Sequence, residues 1–349
     1  MDSVSFVKWL KQEDLFWKVQ DNYQYFSHFL TKTLRIRLRN ELVIIGDIGR
    51  DGRRAAPIMA GCYLLAAKRL GLNYKFMIQD VRKPGDSAEQ KVISALQNLQ
   101  EENYIALALS GKLGRVNQLG TNFRKYVRSR RVMFVSTPSL MDLPTSRFRY
   151  LIDSIDIDYE ELQREARRLE RILNNGREVR LITDKGTNLT VGITGMQAIP
   201  NDGKFHTKSG NIPVGEVYLA PKKYEVDGRV VIDGSVRSRY GTHIVDKPVI
   251  LRIEKGSVTS VSGDESIASK LRESIRWAGK PGARIGELGI GINPKAKVIG
   301  PTIINEKAKG TAHIALGNNS SFGGNIHAKV HLDQVFRNPK IWVDGRRMI

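Results

Sequence analysis

The 349-residue chain has a single cysteine, Cys62, and only six histidines. One thiol excludes a disulfide framework within the chain and any zinc cluster built from several cysteines. Cys62 sits in the apolar run "IMAGCYLLAA" and reads as a small buried hydrophobe rather than a reactive group. No apolar stretch approaches about 18 residues, so no membrane span is expected. The opening "MDSVSFVKWLKQEDLFWKVQ" has early acidic residues and no small-residue cleavage site, unlike a signal peptide, and a cytoplasmic protein is the expectation. Common nucleotide and protease signatures are missing as well. "GDIGRDG" spaces its glycines every third residue rather than as G-x-G-x-x-G, "SGKLG" lacks the rest of a P-loop, and no H-E-x-x-H occurs.

The hydrophobic fraction of 41% and the charged fraction of 26% are ordinary for a chain with a real core. The balance of 56 Lys and Arg against 36 Asp and Glu is not ordinary, and the formal charge of +20 brings nucleic acid into consideration. The densest cluster, "RKYVRSRR" (Arg124 to Arg131), reads more simply as a solvated helix end before the strand "VMFVST". The remaining positive charge is spread along the chain without an aromatic-interleaved stripe, so nucleic acid stays a minor alternative.

Residues 1–45 contain neither glycine nor proline, and apolar residues recur at helical spacing, which predicts a helical N-terminal segment over residues 1–40. Short apolar runs then alternate with helical patterns: Leu42 to Gly46, Tyr74 to Ile78, Tyr104 to Leu109 and Val132 to Ser136. That alternation predicts a parallel α/β sheet covered on both faces. Asp86 with Glu89 suggests a capping box for the helix in "DSAEQKVISALQNLQ". A further helix, "DYEELQREARRLERILNNG", carries Leu162, Ala166, Leu169 and Leu173 on one face, with Asp158 and Glu161 to cap its start and Gly176 its end. Beyond it strand-like alternation with glycine turns takes over, broken by one helix near Ile267 to Ala278. The expected organisation is therefore an α/β N-terminal domain, residues 1–176, and a β-rich α+β domain, residues 177–349.

Histidines concentrate in "GTAHIALGNNSSFGGNIHAKVHLD", residues 310–333, which holds His313, His327 and His331. In a strand, residues two apart face the same way, so His331 and Asp333 of "VHLD" would project together. An imidazole and a carboxylate so paired suit Zn, Mn, Co or Fe(II), although a solvent-facing strand carries the same pair without a metal. His313 lies in a small apolar run, either as a second imidazole ligand or as a core histidine bonded to backbone. "GNNSSFGG" provides a glycine-rich loop and room for a return strand. His327 fits a supporting or surface role. Two carboxylates stand in similar apolar, glycine-rich settings: Glu216 in "NIPVGEVYLAP" and Glu287 in "ARIGELGIGINP". A buried carboxylate demands a partner, either a metal or, more blandly, an arginine.

The order and spacing of "NIPVGEVYLAP", "GELGIGINP", "NEKAKGTAHIALGNN" and "IHAKVHLD" resemble the aminopeptidase T family of metallo-aminopeptidases. The resemblance covers the β-rich half; the first half is similar in architecture alone. It implies a hydrolase that removes N-terminal residues from short peptides, using two divalent ions (Zn, Co or Mn) held by Glu216, Glu287, His313, His331 and Asp333. In such a site two metals about 3.5–4 Å apart share an activated water. Glu306, in "NEKAKG", matches an acidic position of the family and would act as general base or support, its bland alternative being a surface Glu beside Lys307 and Lys309. The resemblance also implies a homodimer with the site enclosed between domains. One position departs from it. The peptidases carry a tyrosine seven residues after the first histidine, where this chain has Ser320. A hydroxyl remains, but the loss of the phenol weighs on peptide turnover more than on metal binding. The fold is similar also to that of the dihydroxypyridine ring-cleaving dioxygenases with one Fe(II), for which His313, His331 and Asp333 could supply a two-histidine, one-carboxylate triad. A third alternative is a metal-binding protein without efficient peptidase activity.

Overall fold

A computed structural model of the chain describes residues 1–83, 85–205 and 209–349. It divides into two compact units, Met1–Asp156 with Gly203–Pro213, and Ile157–Asp202 with Val214–Ile349. The first break falls before the helix at 159–175, whereas the sequence texture places it after. The reason is packing: that helix lies against strands of the second unit.

In the first unit, helices α1 (Ser3–Gln12) and α2 (Phe16–His28) precede strand β1 (Glu41–Asp47). There follow α3 (Ala55–Arg69), β2 (Asn73–Gln79), α4 (Gln90–Gln97), β3 (Tyr104–Ala108), α5 (Phe123–Ser129), β4 (Met133–Thr137) and α6 (Phe148–Ile155). The strands are parallel in the order β2-β1-β3-β4, and each coincides with an apolar run read from the sequence. Alternate residues of β1 serve both faces. Val43 and Ile45 join Val92, Ile93, Leu96, Val127 and Phe134 in one core. On α3, Gly61 is required by close approach, because a Cβ there would stand 2.7 Å from Val19 of α2. The expected capping box is not formed. Asp86 accepts from the Lys83 N–H and Glu89 from the Asp80 N–H, so both carboxylates serve the preceding turn instead.

The second unit opens with α7 (Tyr159–Asn175), whose Asp158 caps the N–H groups of Glu160 and Glu161 and whose Leu162, Ala166, Leu169 and Leu173 are all buried. Its strands are β5 (Glu178–Ile182), β6 (Asn188–Gly192) and β7 (Ile199–Asn201); β8 (Gly210–Asn211) extends the first unit's sheet beside β4. Then come β9 (Glu216–Leu219), β10 (Val226–Ile232), β11 (Ser235–Ser238), β12 (Gly241–Ile244), β13 (Val249–Glu254), β14 (Ser257–Gly263), α8 (Glu265–Ala278) and β15 (Ile285–Gly291). Last are α9 (Thr302–Asn305), β16 (Thr311–Gly317), β17 (His331–Arg337), β18 (Lys340–Val343) and β19 (Arg346–Arg347). They make two seven-stranded sheets, β14-β13-β10-β6-β5-β18-β19 and β12-β11-β17-β16-β15-β9-β7. The chain is thus α/β, a parallel-sheet unit followed by a unit of antiparallel sheets. Among the described residues no helix is long and apolar enough to cross a membrane.

Candidate metal centre

Four adjacent antiparallel strands, β9, β15, β16 and β17, build the site on one face of their sheet. Period-two alternation decides what each contributes. Glu216 and Tyr218 come from β9, Glu287 from β15, His313 from β16, and His331 with Asp333 from β17. The opposite face carries Val217, Leu219, Leu288, Ile290, Ile314, Leu316 and Leu332, all buried, which pins the register because a one-residue slip would exchange the two sets. Between the functional side chains the near face is nearly bare. Gly289, Gly291, Ala315 and Gly317 occupy the intervening positions, and a Cβ on Gly289 would lie 2.2 Å from His313 Nε2. Gly289 of "GELGIG" is therefore the space into which the imidazole folds.

The donors converge. His313 Nε2 lies 3.1 Å from Glu287 Oε1 and 3.7 Å from Glu216 Oε2. His331 Nε2 lies 3.2 Å from Asp333 Oδ1 and 3.4 Å from Glu287 Oε2. The other His331 nitrogen, Nδ1, is 2.8 Å from the Asn318 carbonyl oxygen, which orients the ring with Nε2 toward the carboxylates. Two overlapping groups result, Glu216–Glu306–His313 and Glu287–His313–Asp333, each with its ligand atoms within 4.8 Å of one another. All five residues expected as ligands from the sequence thus lie in one cluster, with Glu306 beside them. Glu306 is not on the surface; it is buried at the end of α9. His327 is exposed in the loop before β17, and Ser320 is exposed with its hydroxyl bonded to the Asn318 side chain.

One member was not foreseen. Lys307, 1% exposed, places its ammonium 2.5 Å from Glu216 Oε1 and 2.5 Å from Glu306 Oε1. "NEKAKG" gave no local sign of it, since a lysine between polar residues usually reads as solvated. The signal lay in the tally of the expected site: four carboxylates against two imidazoles leave a demand for positive charge.

Dense charge in a largely buried cluster perturbs several of its members. Burial would lower the Lys307 ammonium, but Glu216 and Glu306 outweigh it and hold the group above the ordinary lysine value. Burial, with the charges of Asp333 and Glu216, pushes the Glu306 carboxyl up to about 8 against the pull of Lys307. For His313 burial works downward, and the Glu287 hydrogen bond with the neighbouring carboxylates raises it to about 9. His331 is likewise raised against its burial, chiefly by Asp333. Burial would raise Asp333, but His331, His313 and Lys307 hold it well below the usual carboxylate range. Without a metal, protons on the imidazoles do part of the neutralising.

The donor set fits a divalent cation. Two imidazole nitrogens and carboxylate oxygens suit Fe(II), Zn or Mn. Two buried atoms, Glu216 Oε2 and His313 Nδ1, lack a hydrogen-bond partner among the described residues. An unpaired buried carboxylate oxygen is costly, and nearby positive charge relieves that cost.

Fold and donor set together define an α/β protein on the scaffold shared by aminopeptidase T and a dihydroxypyridine dioxygenase, with a candidate metal centre in its second unit. More particularly, the chain belongs to the 2,5-dihydroxypyridine 5,6-dioxygenase (NicX) family, whose profile matches residues 157–349. The 2,5-dihydroxypyridine dioxygenase of Pseudomonas putida KT2440 superposes with a TM-score of 0.72 at 15% identity, over 95% of this chain and 96% of that one. AmpT of Thermus thermophilus superposes with a TM-score of 0.65 at 17% identity, over 94% and 97%. Among curated proteins none matches this chain. The two structural likenesses establish the fold and leave the chemistry to the site.

Proposed function

We propose that the chain is a dioxygenase with a single iron centre that opens a dihydroxylated nitrogen-heteroaromatic ring. The observation that carries this reading is Lys307. A two-metal hydrolase needs a second cation among Glu216, Glu306 and His313, and the Lys307 ammonium stands there, 2.5 Å from both glutamates. An added divalent ion would meet a fixed positive charge, leaving room for one metal. His313, His331 and Asp333 would hold it, with Glu287 beside them, as the two-histidine, carboxylate donor set of Fe(II) oxygenases. Bound there, Fe(II) would supply the oxygen chemistry that no side chain can.

The chain's own residues have separate tasks. Asn318 orients His331 through its carbonyl. Lys307 fixes Glu216 and Glu306 and neutralises part of their charge. Glu306, whose carboxyl is raised by burial in the metal-free chain, lies beside the donors and is a candidate to exchange a proton with a substrate hydroxyl. Membership of the dioxygenase family and Ser320, where the peptidases have tyrosine, support the same reading.

The test is oxygen uptake by iron-loaded protein with 2,5-dihydroxypyridine, alongside metal content. One iron per chain with ring-dependent oxygen consumption is the expected result. Two metals per chain with release of N-terminal residues from short peptides would overturn it. The aminopeptidase reading keeps one observation in its favour, the pair of overlapping donor groups sharing His313. It requires Lys307 to vacate its position.

A further inference from the structure

The loop between β16 and β17 does more than connect them. Asn319, buried at its start, donates through its side-chain amide to the Gly286 carbonyl at 3.0 Å and accepts from the Ile326 N–H at 2.8 Å. Its backbone carbonyl accepts from the N–H groups of Phe322 and Gly324. Gly324 packs so tightly on this amide that a Cβ would stand 2.0 Å from Asn319 Cγ. The loop is therefore wound on a fixed buried post, yet its one aromatic residue, Phe322, is left half-buried rather than sealed inside.

Phe322 stands beside the candidate metal centre. Its ring lies 5.4 Å from that of Tyr218 at an interplanar angle of 82°, and 5.9 Å from that of His331 at 86°. Tyr218 is also half-buried and shares its strand face with Glu216, two residues away. Two aromatic walls thus meet nearly at right angles, and one of them, Phe322, adjoins the imidazole of His331. A flat ring placed in such a corner meets one wall face to face and the other edge to face, the two arrangements aromatic quadrupoles prefer. An extended aliphatic peptide side chain makes no comparable use of it.

We propose that Tyr218 and Phe322 form a recognition corner for the flat face of an aromatic ring substrate, with Phe322 as a specificity-determining residue. The proposal rests on the ring-cleavage reading above and adds which side chains select the ring. Asn319 is a positioning residue, because it sets where Phe322 stands without reaching the substrate itself.

The test compares two probes on iron-loaded protein held without oxygen: 2,5-dihydroxypyridine, a flat ring, and acetohydroxamate, a small metal chelator with no ring. Phe322→Ala is expected to weaken binding of the pyridine about tenfold, in line with loss of one aromatic contact. Acetohydroxamate affinity and iron content should stay as in the wild type, and Phe322→Trp should restore pyridine binding. Equal weakening of both probes, or an unchanged pyridine affinity, would overturn the corner. The two readings fail separately. A wild type that consumes oxygen with the pyridine while Phe322→Ala binds it normally refutes the corner alone. A wild type that binds the ring through Phe322 but consumes no oxygen supports the corner and refutes the dioxygenase.

Discussion

Replacing Lys307 by methionine tests whether this side chain acts as a built-in cation. Methionine keeps most of the length and removes the charge. Breaking a buried ion pair by deleting one partner costs about 3–5 kcal/mol, because the remaining charge stays buried and unpaired. Here one ammonium lies 2.5 Å from two carboxylates and only 1% of the residue is exposed, so the cost belongs to that range rather than to surface pairs. For a unit of this size, each kcal/mol moves the melting midpoint by about 2–4 °C. In a chelator, Lys307→Met should therefore melt roughly 6–20 °C below the wild type. Glu306 can soften the loss by keeping its proton, so the gap should be wider at pH 9 than at pH 6.5, on either side of its value of about 8. A divalent ion should then do what lysine did. At a hundred times its Kd it would restore about 2.7 kcal/mol. Metal analysis after dialysis should find one ion per chain in the wild type and up to two in the variant. A variant that melts with the wild type in chelator, or a wild type that already holds two ions, would refute the reasoning.

Gly289→Ala should abolish metal retention while the strands still form, because the new methyl would lie 2.2 Å from the His313 ring and force it aside; metal content and circular dichroism check it together. Asp158→Ala removes the cap on two N–H groups of α7 and should lower stability by about 1 kcal/mol, read as a drop of a few degrees in the melting midpoint, with metal content unchanged. The metal-free protein should become less stable as pH rises from about 6.5 to 9. His313, raised to about 9 against its burial by Glu287 and the other carboxylates, binds its proton more tightly folded than unfolded. Its contribution is complete below the unfolded value and is lost as pH climbs through the folded one; Glu306, raised to about 8, acts in the same direction. Asp333, held low, adds stability that disappears only on acidification. Metal-loaded protein should show the opposite slope, since metal displaces those protons. Melting curves that are flat across this window in chelator would count against the assignment.

Which parts of this protein could be read from residues alone follows from the range over which each signal acts. Strands β1, β3 and β4 were legible because burial in the sheet interior writes short apolar runs into the sequence, edge strand β2 from the apolar residues around its exposed Lys75, and α7 because its apolar stripe and Asp158 act within one element. The capping box at Asp86 and Glu89 was misread for the converse reason: two carboxylates three residues apart can serve any nearby N–H, and here the turn before the helix used both. That Glu216, Glu287 and His313 would come together was legible because a glycine or alanine precedes each of them in an apolar run, and His331 with Asp333 because residues two apart on a strand share a face. Lys307 was not, because a lysine's burial depends on charges 91 residues away in sequence, at Glu216, and no local pattern records that distance. The consequence reaches beyond one residue. The scaffold is shared by AmpT and a dihydroxypyridine dioxygenase, and Glu216, Glu306 and His313 are spaced so that a second metal could sit among them. On the reading proposed here, what separates the two chemistries in this chain is which cation neutralises Glu216 and Glu306. A covalently tethered ammonium cannot polarise a peptide carbonyl or share a bridging hydroxide as a metal does, so placing lysine there would remove the two-metal reaction while leaving the neighbouring donors of the single-metal site in place.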